Sequence, residues 1–164
     1  TGLFTSLAFS NDDKQHISYY FYDPTGPEAL KYARYVYTGG NCGFGNNAGK
    51  WQCDTIHSGE GIGQFTALAL DTSDNAHIAY YNRHNGDLWY ATNQTGSNCG
   101  PGNTWTCYPI VITGDVGKYA AMYVDPQSNF HIAYYEFITA SGGNLGIAWQ
   151  RLQAYLPHLP FSEQ

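Results

Sequence analysis

Three histidines recur in this sequence with the same neighbours. His16, His77 and His131 each begin a His-Ile-Ser/Ala-Tyr-Tyr stretch, and the second and third stretches follow after 61 and then 54 residues. Imidazole binds metals and carries protons, so three of them invite a metal or acid–base site. Recurrence at such spacings instead indicates a tandem repeat, whose equivalent positions lie well apart in space. We therefore predict that these histidines are structural and hydrogen-bond between strands or between repeat units.

The tyrosines of the recurring stretch are predicted to pack between repeat units rather than to bind a ligand, because aromatic side chains dominate such contacts. The second tyrosine of each stretch is Tyr20, Tyr81 or Tyr135.

The remaining acid–base side chains form no recognisable catalytic set. The carboxylates fall mostly in turns, and a glycosidase needs two carboxyl groups across one cleft. Asp12 with Asp13, or Asp71 with Asp74, could hold calcium, but neither follows the Asp-x-Asp-x-Asp-Gly ligand pattern. We predict no catalytic residue, no metal ligand and no cofactor. The histidines that do not recur are expected at the surface: His57, His84 and His158.

Some aromatic side chains lie beside loops or outside the repeating pattern, and these are the candidates for stacking on sugar rings. Packing is the competing interpretation for each of them, since tryptophan is highly buried on average. The candidate ligand-binding residues are Trp51, Trp89, Trp105, Tyr108 and Trp149.

The four cysteines lie in two matched loops, each with an Asn-Cys-Gly start and a Trp-x-Cys end. Their spacings of 11 and 8 residues are unlike the paired Cys-x-x-Cys of zinc sites. We predict disulfides Cys42–Cys53 and Cys99–Cys107, in preference to free thiols or a metal site. Disulfides persist in oxidising compartments, so a secreted or cell-surface protein is expected.

The composition excludes several classes of partner. The 164 residues carry a net charge of −6, so no nucleic-acid or anionic-membrane footprint is present. No apolar run is long enough to insert as a transmembrane helix. The chain starts directly in a repeat, as a processed or trimmed chain would. Its 15 tyrosines and 19 glycines, with Asn/Asp turns between aromatic segments, favour an all-β domain.

Each repeat reads as four antiparallel strands over about 55–60 residues, which is the size and order of a β-propeller blade. We predict one domain, 1–164, with blades at about 2–61, 62–115 and 116–160. Pro109 fits an outer edge strand. The third copy lacks the cysteine loop, and 152–159 is the candidate for its fourth strand.

The segment from Gln64 to Ala91 resembles a group of bacterial and archaeal secreted β-propeller repeats. Their blades read Ser-Leu-Ala-Leu-Asp, a Gly-Asn turn, His-Ile-Ser-Tyr-Tyr and then Leu-x-Tyr-Ala. Asp74 stands where that turn usually has glycine. The resemblance covers most of the chain through all three copies. It implies a propeller fold and a lectin-like, scaffold or surface role.

Three blades are too few, because closed propellers typically have four to eight. We expect the ring to be completed by another copy, in a homo-oligomer or larger assembly, or by further sequence. The predicted function is a non-catalytic extracellular module that binds glycan or protein on a surface. The alternatives are a structural subunit of a surface layer, filament or secreted assembly, and, less favoured, a propeller glycosidase or lyase.

Overall fold

The computed structural model describes residues 2–138 and 142–150, and these residues form an all-β structure of three antiparallel sheets. The predicted fold class is therefore confirmed at this level. The first sheet contains β1 (Gly2–Phe9), β2 (Gln15–Phe21), β3 (Ala29–Tyr35) and β4 (Trp51–Ser58). The second contains β5 (Ile62–Leu70), β6 (Ala76–Asn82), β7 (Asp87–Thr92) and β8 (Thr106–Val111). The third contains β9 (Asp115–Val124), β10 (Phe130–Ile138) and β11 (Gly142–Gln150).

Each sheet is a meander in which strands adjacent in sequence are adjacent in space. Pro109 lies in β8, at the edge of the second sheet, where proline is tolerated. The candidate fourth strand of the third sheet, at 152–159, lies outside the described residues. Among the described residues, no helix is both long and apolar enough to cross a bilayer.

Alternating side chains give each sheet two faces, and the inner faces form two cores. In β2, the side chains of His16, Ser18 and Tyr20 are buried, whereas those of Ile17 and Tyr19 are partly exposed. The core between the first and second sheets, here called the first seam, is built from Leu30, Tyr32, Ile56, Leu68, Ile78 and Tyr80. The core between the second and third sheets, the second seam, is built from Ala67, Leu88, Tyr90, Val116, Phe130 and Ile132.

A glycine at the start of each following sheet sets the distance between the sheets. A Cβ atom on Gly63 would lie 2.6 Å from the Cα of Leu30, and one on Gly117 would lie 2.9 Å from the Cα of Leu88. Both glycines also have left-handed φ angles, +99° and +102°. No other residue fits so close an approach at this backbone conformation.

The first strands of the three sheets run past one another and share a break in their pairing. Phe4, Phe65 and Tyr119 adopt φ angles of 51°, 51° and 52°, a left-handed conformation that is costly for bulky residues. Their rings pack against one another in a row, with centroids 4.3 Å apart for Phe4–Phe65 and 4.6 Å apart for Phe65–Tyr119. The row of rings links the first strands of the three sheets.

Both predicted disulfides are present. Cys42–Cys53 and Cys99–Cys107 each join Cα atoms 5.9 Å apart, and no free cysteine remains in the part of the chain that is described. The second loop also reaches the neighbouring sheet, because Gly100 N donates to the carbonyl of Ile56 at 2.8 Å.

Removing each disulfide in turn tests these loops. We expect C42S/C53S and C99S/C107S each to lower the free energy of unfolding by about 2–3 kcal/mol, since each cross-link restricts the unfolded chain. The second pair should cost more than its shorter loop predicts, because its loop also bonds to the first sheet. Urea unfolding of the oxidised wild type and both variants measures this. Unchanged midpoints in both variants would contradict it.

Candidate functional site

Two of the three recurring histidines, His16 and His77, are tied to a tyrosine of the next strand in the same sheet. Nδ1 of His77 hydrogen-bonds the hydroxyl of Tyr90 at 2.5 Å, and Nδ1 of His16 hydrogen-bonds the hydroxyl of Tyr32. Nε2 of His77 lies 3.5 Å from Oδ2 of Asp71. Burial lowers the pKa of both histidines, partly opposed at His77 by the Asp71 carboxylate. It also raises the pKa of Tyr32 and of Tyr90.

The three copies differ in the partners of this histidine. Only the second copy has the histidine, the tyrosine and the aspartate together. The first copy has Ser10 where the second has Asp71, and the third has Ile147 where the second has Tyr90. His77 and Asp71 are buried within the sheet, where a substrate has no access. The arrangement therefore ties strands together, and its buried members offer no open acid–base pair.

The tyrosines of the recurring stretch take different positions in the three copies. Tyr20 is buried, and Tyr81 donates from its hydroxyl to Asp115 Oδ1 at 2.6 Å across the second seam. That bond and the burial raise the pKa of Tyr81, with burial the larger cause. Tyr135 is partly exposed and its ring lies edge-on to Tyr119.

His57 corrects the prediction that every non-recurring histidine is a surface residue. It is half-buried in β4, where its Nδ1 hydrogen-bonds the hydroxyl of Tyr80 at 2.8 Å and its ring packs 4.9 Å from that of Trp89. Burial lowers the pKa of His57. Sequence reasoning missed the contact because His57 has no equivalent in the other copies. His84 is exposed as predicted, and His158 lies outside the described residues.

The five candidate ligand-binding aromatics do not come together. Trp105 is only 3 % exposed and packs edge-on against Tyr32, so the expectation that it contacts a ligand is wrong. Tyr108 packs on Tyr90 in the second seam. Trp51 is partly buried and packs on Tyr35. Trp89 is also partly buried and packs on His57 and Tyr80. Trp149 is the most open, at 44 % exposed.

Trp149 forms one wall of a cleft of about 450 Å³ at the end of the third sheet. It lies opposite His131 in the pairing of β10 with β11, which places the indole and the imidazole side by side. The turn between β9 and β10 supplies the other wall, with Asp125, Gln127 and Asn129. The cleft therefore combines an open aromatic face with a carboxylate, two amides and an imidazole.

Asp125 is held rigidly in this cleft. Its Oδ1 accepts from the backbone N–H groups of Gln127 and Asn129 at 3.0 and 2.8 Å, and its Oδ2 accepts from Asn129 Nδ2 at 2.8 Å. These bonds, led by that of the Asn129 side chain, lower the pKa of Asp125 and keep it ionised. His131 Nε2 lies 3.5 Å from Oδ2 and remains half-exposed. The carboxylate is thus a fixed hydrogen-bond acceptor.

Sequence reasoning missed the cleft's polar wall, because the same turn recurs in the second copy without a tryptophan beside it. Asp71 bonds the N–H groups of Ser73 and Asn75 in the second copy as Asp125 bonds those of Gln127 and Asn129 in the third. The sequence did contain one signal for the site, which is a residue that differs between the three copies. Trp149 occupies the position that is Arg34 in the first copy and Thr92 in the second.

Comparison with known proteins relates the fold to a lectin. No protein-family model matches the sequence, and no curated protein matches it significantly. Among solved structures, the chain is similar to a fucose lectin from Kordia zhangzhouensis in complex with methyl-fucoside, with a TM-score of 0.50. The two share 14 % identity, and the match covers 92 % of this chain and 98 % of the lectin chain. At that identity the likeness concerns the fold alone.

The buried histidines predict how stability depends on pH. A histidine with a lowered pKa in the folded state stays neutral there while the unfolded chain takes up a proton. Its contribution to stability is therefore complete above about pH 6.5 and is lost as the pH falls through the folded-state value. We expect the urea midpoint to fall between pH 7 and pH 5. His77→Gln should reduce that slope, because it removes a buried imidazole. Equal slopes for wild type and His77→Gln would contradict the assignment.

Proposed function

We propose that this protein is a non-catalytic carbohydrate-binding module and that Trp149 is the centre of its sugar site. The observation that carries the proposal is the pairing of an open indole face with the rigidly held Asp125 carboxylate and the Asn129 amide. A pyranose ring presents an apolar C–H face and outward hydroxyls. Aromatic side chains combine a flat apolar face with low conformational entropy loss on binding, and fixed acceptors orient the hydroxyls.

The likeness to a fucose-binding lectin supports this proposal at the level of the fold. We therefore name fucosides as the first sugars to test. A fucoside has one methyl substituent and three ring hydroxyls, so it could place an apolar edge on Trp149 while its hydroxyls donate to Asp125. His131 and Gln127, on the lining of the same cleft, can bond the remaining oxygens.

The arrangement proposed for the sheets is that of a β-propeller related to the secreted bacterial and archaeal repeats. Support comes from two complete four-stranded meanders, a third meander of the same order, and the first strands aligned along one edge. The two disulfides support an extracellular or cell-surface location.

Binding without catalysis is favoured because the cleft lining contains one carboxylate, Asp125, among the described residues. Glycoside hydrolysis typically uses two carboxyl groups about 5–9.5 Å apart, one as acid and one as base or nucleophile. The rigid hydrogen bonding of Asp125 also lowers its pKa, which suits an acceptor better than a proton donor.

A structural role in a larger assembly is the second candidate, and one observation favours it. Large apolar side chains are exposed on the outward sides of the first and third sheets, among them Leu7, Phe9, Tyr119, Tyr123, Leu145 and Ile147. Exposed apolar patches of this kind mark interaction surfaces. The two roles are compatible, since assembly would multiply the sugar sites and raise avidity.

Replacing Trp149 tests the sugar site. We expect wild type to bind methyl-fucoside in isothermal titration or saturation-transfer NMR, and Trp149→Ala to weaken binding by about tenfold or more, because a central aromatic contact is lost. Trp51→Ala is the matched control, since Trp51 lies in the first cysteine loop and packs on Tyr35. Asp125→Asn, which keeps the shape and removes the charge, should weaken binding less.

A glycan array run at millimolar-range sensitivity completes the test. Absence of any sugar ligand for the folded wild type would contradict the proposed function. Unchanged affinity of Trp149→Ala for a sugar that the wild type binds would contradict the location of the site.

A further inference from the structure

Three equivalent leucines have very different surroundings. Leu30, Leu88 and Leu145 each pair with the second tyrosine of the recurring stretch, across from Tyr20, Tyr81 and Tyr135 in turn. Leu30 and Leu88 are fully buried, under Gly63 and Gly117 of the following sheet, whereas Leu145 is 74 % exposed. The side of the third sheet that carries Leu145, with Tyr135 and Ile147, is here called the trailing face.

The first sheet has an uncovered side of the complementary kind. Leu7 pairs with Ile17 as Leu68 pairs with Ile78 and Met122 with Ile132. Leu68 is 7 % exposed in the first seam, and Met122 packs against the core of the second seam, but Leu7 is 56 % exposed. Gly2 stands at the position of Gly63 and Gly117. The side of the first sheet that carries Leu7, with Ile17 and Tyr19, is here called the leading face.

The row of packed rings is also uncovered at both of its ends. Phe65 lies between Phe4 and Tyr119, each within 4.6 Å of it, while the outer members Phe4 and Tyr119 are 41 % and 70 % exposed. Beside Tyr119 lies an apolar hollow of about 340 Å³, lined also by Ala121, Ala133 and Leu145. The residues that line this hollow are equivalent to residues that the following sheet covers in both seams.

We propose that a second copy of this chain docks its leading face on the trailing face of the first. The chain's own two seams indicate what covers such a face. In each seam the following sheet presents a glycine over the leucine, an apolar residue at the Leu7 position and an aromatic ring at the Phe4 position. The leading face carries this set, with Gly2, Leu7 and Phe4. Gly2 of the second copy would then cover Leu145, and its Phe4 would continue the row beyond Tyr119.

Such a contact joins different surfaces of the two copies, so it is head-to-tail. Two copies related by a twofold axis would close two identical contacts and place six sheets in one ring, within the usual range for propellers. The inference rests on the propeller arrangement proposed above and is independent of which sugar binds. Arg34, the counterpart of Trp149, stays exposed at the first seam, so docking leaves the larger Trp149 within reach of a ligand.

Two charge substitutions test the contact on the intact chain. We expect wild type to sediment at about twice the chain mass of 18.2 kDa. Leu145→Asp and Leu7→Asp should each shift the particle to one chain, weakening association at least about 100-fold because a charge enters an apolar contact. An equimolar mixture of the two variants should regain a two-chain particle that is weaker than that of the wild type. One contact joins the two intact faces, whereas the other joins the two substituted faces and stays broken. Phe44→Asp is the control, because Phe44 is 94 % exposed in a loop.

The outcomes separate this contact from its alternatives. A monomeric wild type, or loss of association in Leu145→Asp with no effect of Leu7→Asp and no recovery on mixing, would overturn head-to-tail docking. Open-ended polymers would overturn closure by two copies. Circular dichroism of both variants checks that the chain remains folded. Methyl-fucoside titration of each variant keeps the sugar proposal separate, since the Trp149 cleft lies within one chain.

Discussion

The structure depends on the close approach of a glycine on one sheet to a leucine on the sheet before it. Gly63 over Leu30 and Gly117 over Leu88 bring backbone against backbone, so the side chains around them interlock in one dense core per seam. Apolar burial of this kind contributes about 1.5–3 kcal/mol for each large side chain that is removed from water. Any side chain at these glycines would force the sheets apart. The spacing of the three sheets therefore depends on glycine at both positions.

The polar contacts across the seams have diverged, although the apolar frame is shared. At the first seam, the hydroxyls of Ser18 and Thr66 hydrogen-bond, and Ser6 Oγ accepts from Leu68 N at 3.0 Å. At the second seam, alanines occupy the corresponding places, Ala67 and Ala79, and Tyr81 bonds Asp115 instead. Divergence of this kind also created the cleft beside Trp149. Specific chemistry in this chain therefore arises where one copy departs from the repeat.

Much of the fold was predictable from recurring residues, because equivalent positions fold alike. The strand order, the alternation of His16, Ser18 and Tyr20, and both disulfides follow from spacing alone. The left-handed angles of Phe4, Phe65 and Tyr119 could not be predicted, since nothing in a run of strand-forming residues marks a break in pairing. The site was harder still: Trp105 and Trp149 both lie beside loops, yet one packs under Tyr32 and the other has no neighbouring sheet over it. Their exposure depends on tertiary contacts that single-residue patterns do not encode.

The stability of glycine variants measures whether the close approach of the backbones holds the sheets in place. Gly63→Ala and Gly117→Ala are compared with Gly142→Ala, because Gly142 has nearly the same φ, +96°, but has nothing within 4 Å of its Cβ position. Gly142→Ala therefore reports the conformational cost of this φ alone, on the order of 1–3 kcal/mol. If the close approach holds the sheets in place, Gly63→Ala and Gly117→Ala will each reduce the free energy of unfolding by clearly more than that. Equal losses for all three variants would contradict the account.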